Sequence, residues 1–296
     1  MKLFTVGPVQ MHKETLAVGG EQLPYFRTSD FSDIMFENER ILKSFLDAPA
    51  DAKTIFLTAS GTGAMEAAVI NCLNDTDKVL IINGGGFGKR FCEICDIHGI
   101  AHDDIELKWD EALTKAHLEP LSQGEYSALL VNAHETSTGQ LYDLKMLSAF
   151  CKKKDMFFIV DAISSFGADE LSMSELGIDA CIISSQKAMA LSPGISVVVI
   201  SPRMYEERIL TGAVKTLYWD FKSYIDNLTR GQTPFTPAVG ILLELNESLK
   251  RMEAAGIEGM RKNTVELARY FRKELSKAGF DICGYPLSNA LTPVTV

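Results

Sequence analysis

Along the middle of the chain, short runs that are apolar nearly throughout alternate with stretches whose apolar residues recur every three to four positions. The first kind predicts strands at 54–58, 78–83, 127–132, 157–161, 180–184 and 196–201, with a further strand at 104–109. Segments such as ALLV, FFIV and VVVI have no polar face, as a strand covered by helices on both sides of a parallel sheet requires. The second kind predicts helices at 63–74, 87–98 and 144–154. Asp143 stands as N-cap of the last, whose three closing lysines suit the negative end of its dipole. Ser172-Met-Ser-Glu175 has the form of a capping box opening one short turn. The alternation predicts an α/β fold: a mostly parallel, helix-covered sheet of about seven strands.

Beyond Thr236 the pattern changes to two long helices, 237–255 and 257–278, each followed by a glycine, Gly256 and Gly279. Leu242, Leu245, Leu249 and Met252 form an apolar stripe on the first, suited to core packing or to a subunit interface. The chain therefore divides into an N-terminal arm (1–15), a large domain (16–250) and the start of a smaller C-terminal α+β domain (251–296). Its last residues, LTPVTV, read as the opening of a strand without a partner, so a C-terminal portion is expected to be missing.

Composition narrows the function classes. With 46% apolar and 23% charged residues among 296, the chain has the material for a core and lacks the signature of disorder. A net charge of -10 opposes binding to nucleic acid or to an anionic membrane. No apolar run approaches the roughly 20 residues of a membrane helix, and MKLFTVGPVQ has no signal-peptide core. Six cysteines are too sparse for a disulfide framework and point to free thiols in a reducing cytoplasm. Cys92 and Cys95 form a lone C-x-x-C inside a helical pattern, where packing is the simplest role. His98 and His102, in HGIAH, face one another only if Gly99 is helical, so no metal site is predicted.

Three stretches carry candidate chemistry. In ACIISSQKAMALSPG a buried strand runs into Lys187, at the carboxyl end where ligands of open α/β sheets bind. Either Lys187 is a surface lysine, or its apolar flanks ease loss of its proton and make it a Schiff-base nucleophile. Asp161 ends the strand FFIVD; it either caps the next turn or meets Lys187, since one strand-connection-strand unit brings both to one sheet edge. Ser60-Gly61-Thr62, in LTASGTGAMEAA, precedes a helix whose free N–H groups and dipole suit one phosphate. The spacing matches neither a Walker loop nor a dinucleotide fingerprint. Phe87, in NGGGFG, is either a stacking partner for a flat ring or an anchor for the following helix.

Taken together and in order, SGTG, NGGGFGKR, HETSTG, VDAISS and SSQKA resemble the class V group of fold type I pyridoxal-phosphate enzymes. Within it the chain is most similar to alanine-glyoxylate, serine-pyruvate and 2-aminoethylphosphonate-pyruvate aminotransferases. The resemblance implies pyridoxal 5'-phosphate as cofactor, linked to Lys187, with Asp161 facing the pyridine nitrogen and Phe87 on the ring face. Ser60, Gly61, Thr62 and Gln186 would hold the phosphate, and Thr136 would bond near the ring hydroxyl. The segment GQTPFTPAV matches the family's loop from a neighbouring subunit, which nominates Thr236 and implies a homodimer with shared active sites. The expected reaction is transfer of an amino group from a small donor (alanine, serine or 2-aminoethylphosphonate type) to a 2-oxo acid such as pyruvate or glyoxylate. A lyase or cysteine desulfurase on the same fold, with Cys283 as the thiol to place, and a catalytically silent homologue are the alternatives. The family's carboxylate-binding arginine has no matching position before residue 296, and Arg27 reads as a solvated surface residue.

Overall fold

Seven strands form one sheet: β1 (Lys53–Leu57), β2 (Lys78–Asn83), β3 (Ala101–Glu106), β4 (Ala128–Asn132), β5 (Phe157–Asp161), β6 (Ala180–Ser184) and β7 (Ser196–Ile200). The structure is a computed structural model and describes residues 3–294. The spatial order is β1-β7-β6-β5-β4-β2-β3, and β7 alone runs antiparallel, to both of its neighbours. Successive residues of each strand point to opposite faces, and both faces are apolar. Leu80, Leu129, Phe158 and Val197 pack toward α2 (Ser29–Phe45), α5 (Leu144–Lys154) and α7 (Val239–Ala255), through residues such as Met35, Leu147 and Leu245. Ile81, Leu130, Ile159 and Val198 pack toward α3 (Gly61–Cys72), α4 (Gly86–His98) and α6 (Phe221–Leu228), through Val69, Phe91 and Phe221. A helix before this set, α1 (Lys13–Gly19), and one after it, α8 (Ile257–Lys277), complete the main elements. The predicted mostly parallel, helix-covered sheet is thus the fold found.

Local chemistry sets the element ends. Asp143 accepts the N–H of Met146 at 3.0 Å to open α5, and Ser172 accepts that of Glu175 at 3.0 Å to open the turn Met173–Leu176. Helix α3 starts at Gly61, two residues before the apolar pattern announces it, because Ser60 is its N-cap. Three expectations are corrected. The seventh strand lies at Ala101–Glu106 rather than 104–109: it pairs only with β2, from Lys78↔Ala101 to Asn83↔Glu106, and as an edge strand needs no apolar run. Helix α2 was not predicted, because the charged residues of its outer face dilute the stripe of Phe31, Met35, Leu42 and Phe45 that it buries. Residues 291–294 form no strand; Leu287 before them makes an isolated bridge with Gln140, and 295–296 lie outside the described residues.

The parallel order has one consequence for chemistry. The segments leaving β1, β2, β4, β5 and β6 all emerge at the same edge of the sheet. Phe158, 1% exposed, lies in the central strand β5 that carries Asp161 to this edge. Phe158→Ala is expected to cost about 3–5 kcal/mol in denaturant unfolding, whereas Leu217→Ala, at 80% exposure, should stay within about 0.5 kcal/mol of the parent.

Candidate functional site

Loops at this edge enclose a cavity of about 500 Å³, lined by Ser60, Gly61, Thr62, Phe87, Thr136, Asp161, Gln186 and Lys187. These are all of the nominated residues except Thr236, which is exposed and lies outside the cavity of its own chain. Asp161 and Asn132 end adjacent strands in register, which sets their side chains together. The Asp161 carboxylate accepts the Ile163 N–H at 2.8 Å on one oxygen and Asn132 Nδ2 at 2.5 Å on the other. Burial pushes this carboxyl up to about 6, against the pull of those two hydrogen bonds and of Lys187. Burial likewise lowers the proton affinity of Lys187, and Asp161 opposes it. The two groups therefore feel one another across the cavity, a carboxylate and an amine each short of solvent.

Two helices begin here, and only one offers its amides. At α4 the buried Glu135 carboxylate accepts the N–H groups of Phe87 at 3.1 Å and Gly88 at 2.9 Å, and Ser137 Oγ accepts that of Gly86 at 2.9 Å. A Cβ on Gly85 would stand 2.7 Å from Glu135 Cδ, so the glycine run lets the carboxylate close this helix start. At α3 the Ser60 hydroxyl takes only the Gly63 N–H, at 3.4 Å. Among the described residues no protein acceptor faces the amides of Gly61 and Thr62. An anion entering the cavity meets open donors and a positive dipole end at α3, whereas the amides of α4 are already taken by the buried Glu135.

The remaining walls hold these parts in place. Phe87 is half-buried in the first turn of α4, with the Arg90 guanidinium carbon 4.8 Å from its ring centroid, and Arg90 donates to Thr62 Oγ1 at 3.1 Å. Thr136 Oγ1 donates to Ser164 Oγ at 2.8 Å, which donates to the His134 carbonyl at 3.1 Å. Ser184 Oγ donates to the Gln186 side-chain oxygen at 2.7 Å, and Val9 N–H donates to the Gln186 carbonyl at 3.1 Å. That last bond fastens the N-terminal arm, whose Val6, Gly7 and Pro8 line the cavity. A Cβ on Gly7 would lie 2.8 Å from Lys187 Cδ, so the arm passes as close to the lysine as glycine allows.

Sequence reasoning missed Asn132, Glu135, Arg90 and the arm. Asn132 carried a usable signal, a polar residue ending a buried strand as Asp161 does, and Glu135 and Arg90 sit inside motifs already singled out. Arg27 is corrected: it is half-buried and donates to Gln232 Oε1 at 2.8 Å, with the Thr233 and Pro234 carbonyls each at 3.4 Å, so it grips the loop leading to Thr236. Cys283 does not line the cavity.

The electrostatics of Asp161 give a stability test. In the folded chain this carboxyl keeps its proton up to about 6, above the ordinary carboxylate value of 3.8, so stability falls as pH rises between the two and stays reduced above. Asp161→Asn removes the cost of burying the charge, and Asn132, whose Oδ1 is buried without a partner, can turn to accept from the new amide. The cofactor-free variant is expected to gain on the order of 2–3 kcal/mol at pH 8 and to lose the slope below pH 6, read by urea unfolding.

Comparison with known proteins agrees with this geometry. The family model described as aminotransferase class-V matches residues 22–290. The chain is 31% identical to the soluble hydrogenase, small subunit, of Synechococcus sp. (strain PCC 6716), over 98% of this chain and 78% of that one. It is 29% identical to the L-aspartate–glyoxylate aminotransferase of Paracoccus denitrificans (strain Pd 1222), over 78% of this chain and 60% of that one. Its fold superposes on an aspartate aminotransferase of subgroup IV from Thermus thermophilus with TM-score 0.93 at 24% identity, covering 100% of this chain and 83% of that one. With more than half of its length inside the family model, the chain belongs to the class V aminotransferases.

Proposed function

We propose that the cavity binds pyridoxal 5'-phosphate and that the chain transfers an amino group from a small amino donor to a 2-oxo acid such as pyruvate or glyoxylate. One observation carries this reading: a buried carboxylate, Asp161, and a half-buried amine, Lys187, face one cavity beside the open start of α3. The donor set fits the cofactor. The amides of Gly61 and Thr62, the Ser60 hydroxyl and the dipole of α3 suit its phosphate, with the Gln186 amide adjoining. Ionised Asp161 would favour a proton on the pyridine nitrogen, since an adjacent anion favours the charged form of a base. Phe87 would cover a face of the ring, and the Thr136 hydroxyl would bond near the ring hydroxyl.

When bound, pyridoxal phosphate supplies an electron sink that lets the hydrogen on the donor's Cα leave as a proton and carries the amino group to the acceptor. This chain's part is positioning and proton transfer. Lys187 would hold the cofactor through Nζ and would take the proton from the donor's Cα; burial lowers its proton affinity, which favours the neutral amine that this role needs. Phe87, fixed through Glu135, and the start of α3 would help to hold the cofactor at its ring and its phosphate. The arm and the Phe87 turn restrict water.

The same reading extends to assembly. Thr236 stands exposed on a loop held by Arg27, which supports its reaching the phosphate of a second copy and a homodimer with shared sites. The division into an arm (1–15), a large domain (16–250) and a C-terminal unit (251–296) belongs to this proposal, as does a cytoplasmic setting. No helix among the described residues is long and apolar enough to cross a membrane. The L-aspartate–glyoxylate aminotransferase resemblance supports glyoxylate as one acceptor to try.

Purified chain loaded with pyridoxal phosphate should show a visible absorption band that small amino donors bleach and 2-oxo acids restore. Lys187→Ala should retain the cofactor more weakly and lose at least about 100-fold in amino transfer. Equal turnover by Lys187→Ala, or a chain that binds no pyridoxal phosphate in equilibrium dialysis, contradicts the proposal.

A further inference from the structure

Where α4 packs beside the edge strand β3, three side chains of different chemistry converge outside the cavity. Cys92 comes from the helix, and His102 and Asp104 come from β3, two residues apart and so on one face of the strand. One sulfur, nitrogen or oxygen atom from each lies within 4.8 Å of the other two. Cys92 is buried, its thiol donating to the Gly88 carbonyl at 3.6 Å. His102 bonds through Nε2 to Asp96 Oδ1 at 3.2 Å, while its Nδ1 is enclosed by protein and has no partner. One Asp104 oxygen accepts Asn83 Nδ2 at 2.8 Å, leaving the other available.

We propose that Cys92, His102 and Asp104 form a binding site for one borderline-soft divalent cation of the zinc type. A buried ring nitrogen without a partner carries an unrecovered desolvation cost, and a cation here supplies the missing acceptor of its lone pair. Sulfur, imidazole nitrogen and carboxylate oxygen together match zinc, whereas magnesium and calcium require oxygen donors alone. A carboxylate on the second ring nitrogen, here Asp96, is the arrangement that fixes tautomer and ring orientation in metal-binding histidines. Donor atoms of a tetrahedral zinc site lie roughly 3.5 Å apart, so the three side chains need close by only about 1 Å. On binding, the Cys92 S–H proton leaves to solvent and a sulfur–zinc bond replaces it; no oxidation is involved. Asp104 is exposed, which leaves water as the fourth ligand. His98, the nearer histidine in sequence to the C-x-x-C, does not belong to this cluster; its ring pairs with Glu66 at 2.9 Å.

The test is zinc content after the full chain is stripped with chelator, dialysed against zinc chloride and desalted, measured by plasma mass spectrometry and by competition with a chromophoric chelator. The expected result is one zinc per chain, with affinity reduced at least tenfold in Cys92→Ser and in His102→Gln, 10- to 100-fold in Asp96→Asn and unchanged in Cys283→Ser. Cobalt in place of zinc should give a thiolate charge-transfer band that Cys92→Ser abolishes. If Cys92→Ser does not fold by circular dichroism, His102→Gln decides. A folded parent that retains no zinc, or equal binding by parent and His102→Gln, overturns the proposal.

Discussion

A carboxylate kept inside the protein at the end of β5 is the constraint around which the rest is arranged. Asp161 is 6% exposed, and burial alone drives it toward the protonated form. Two hydrogen bonds and the Lys187 amine offset part of that cost, and each arrives through the fold: Asn132 by strand register, Ile163 by the turn after β5, Lys187 by the next parallel strand. The chain bears this cost in stability at the point where, in the proposed function, a charged ring nitrogen would require an anion. A polar but neutral residue there would make a sturdier protein and, on the proposed function, a poorer partner for a protonated pyridine.

The second organising feature is the unequal treatment of two helix starts at the same sheet edge. Both α3 and α4 begin beside the cavity, and a free helix start of either kind would suit a phosphate. Glu135 consumes the amides of α4 from within, which turns that helix start into a rigid mount for Phe87. The start of α3 keeps its donors, so a ligand with a phosphate at one end and a flat ring at the other has one orientation in which both ends are matched. Arg90 ties the two together, bonded to Thr62 and lying over Phe87.

Much of this was legible in the sequence, for physical reasons that also explain what was not. Strands β2, β5 and β6 could be read to the residue because both of their faces are buried and, apart from polar residues at their ends, they are apolar. The edge strand β3 and the amphipathic α2 face solvent on one side, and their polar residues blurred the pattern. At the site, Lys187, Asp161 and Ser60 through Thr62 announced themselves because strand ends and helix starts are where backbone geometry exposes chemistry. Glu135, Arg90 and the Gly7 contact with Lys187 act across long stretches of chain, and no local spacing encodes which carboxylate will meet which amide. The convergence of Cys92 with His102 is hidden for the same reason, since it exists only once α4 lies beside β3.

The proposed attachment of the cofactor at one amine, opposite one carboxylate, is what most of this rests on. Borohydride treatment of the pyridoxal-phosphate-loaded chain followed by peptide mapping locates that attachment directly. A single phosphopyridoxyl group on the peptide containing Lys187, absent from Lys187→Ala, is the predicted result. A label on any other lysine, or label spread over the surface lysines at the same level in both proteins, would contradict the account.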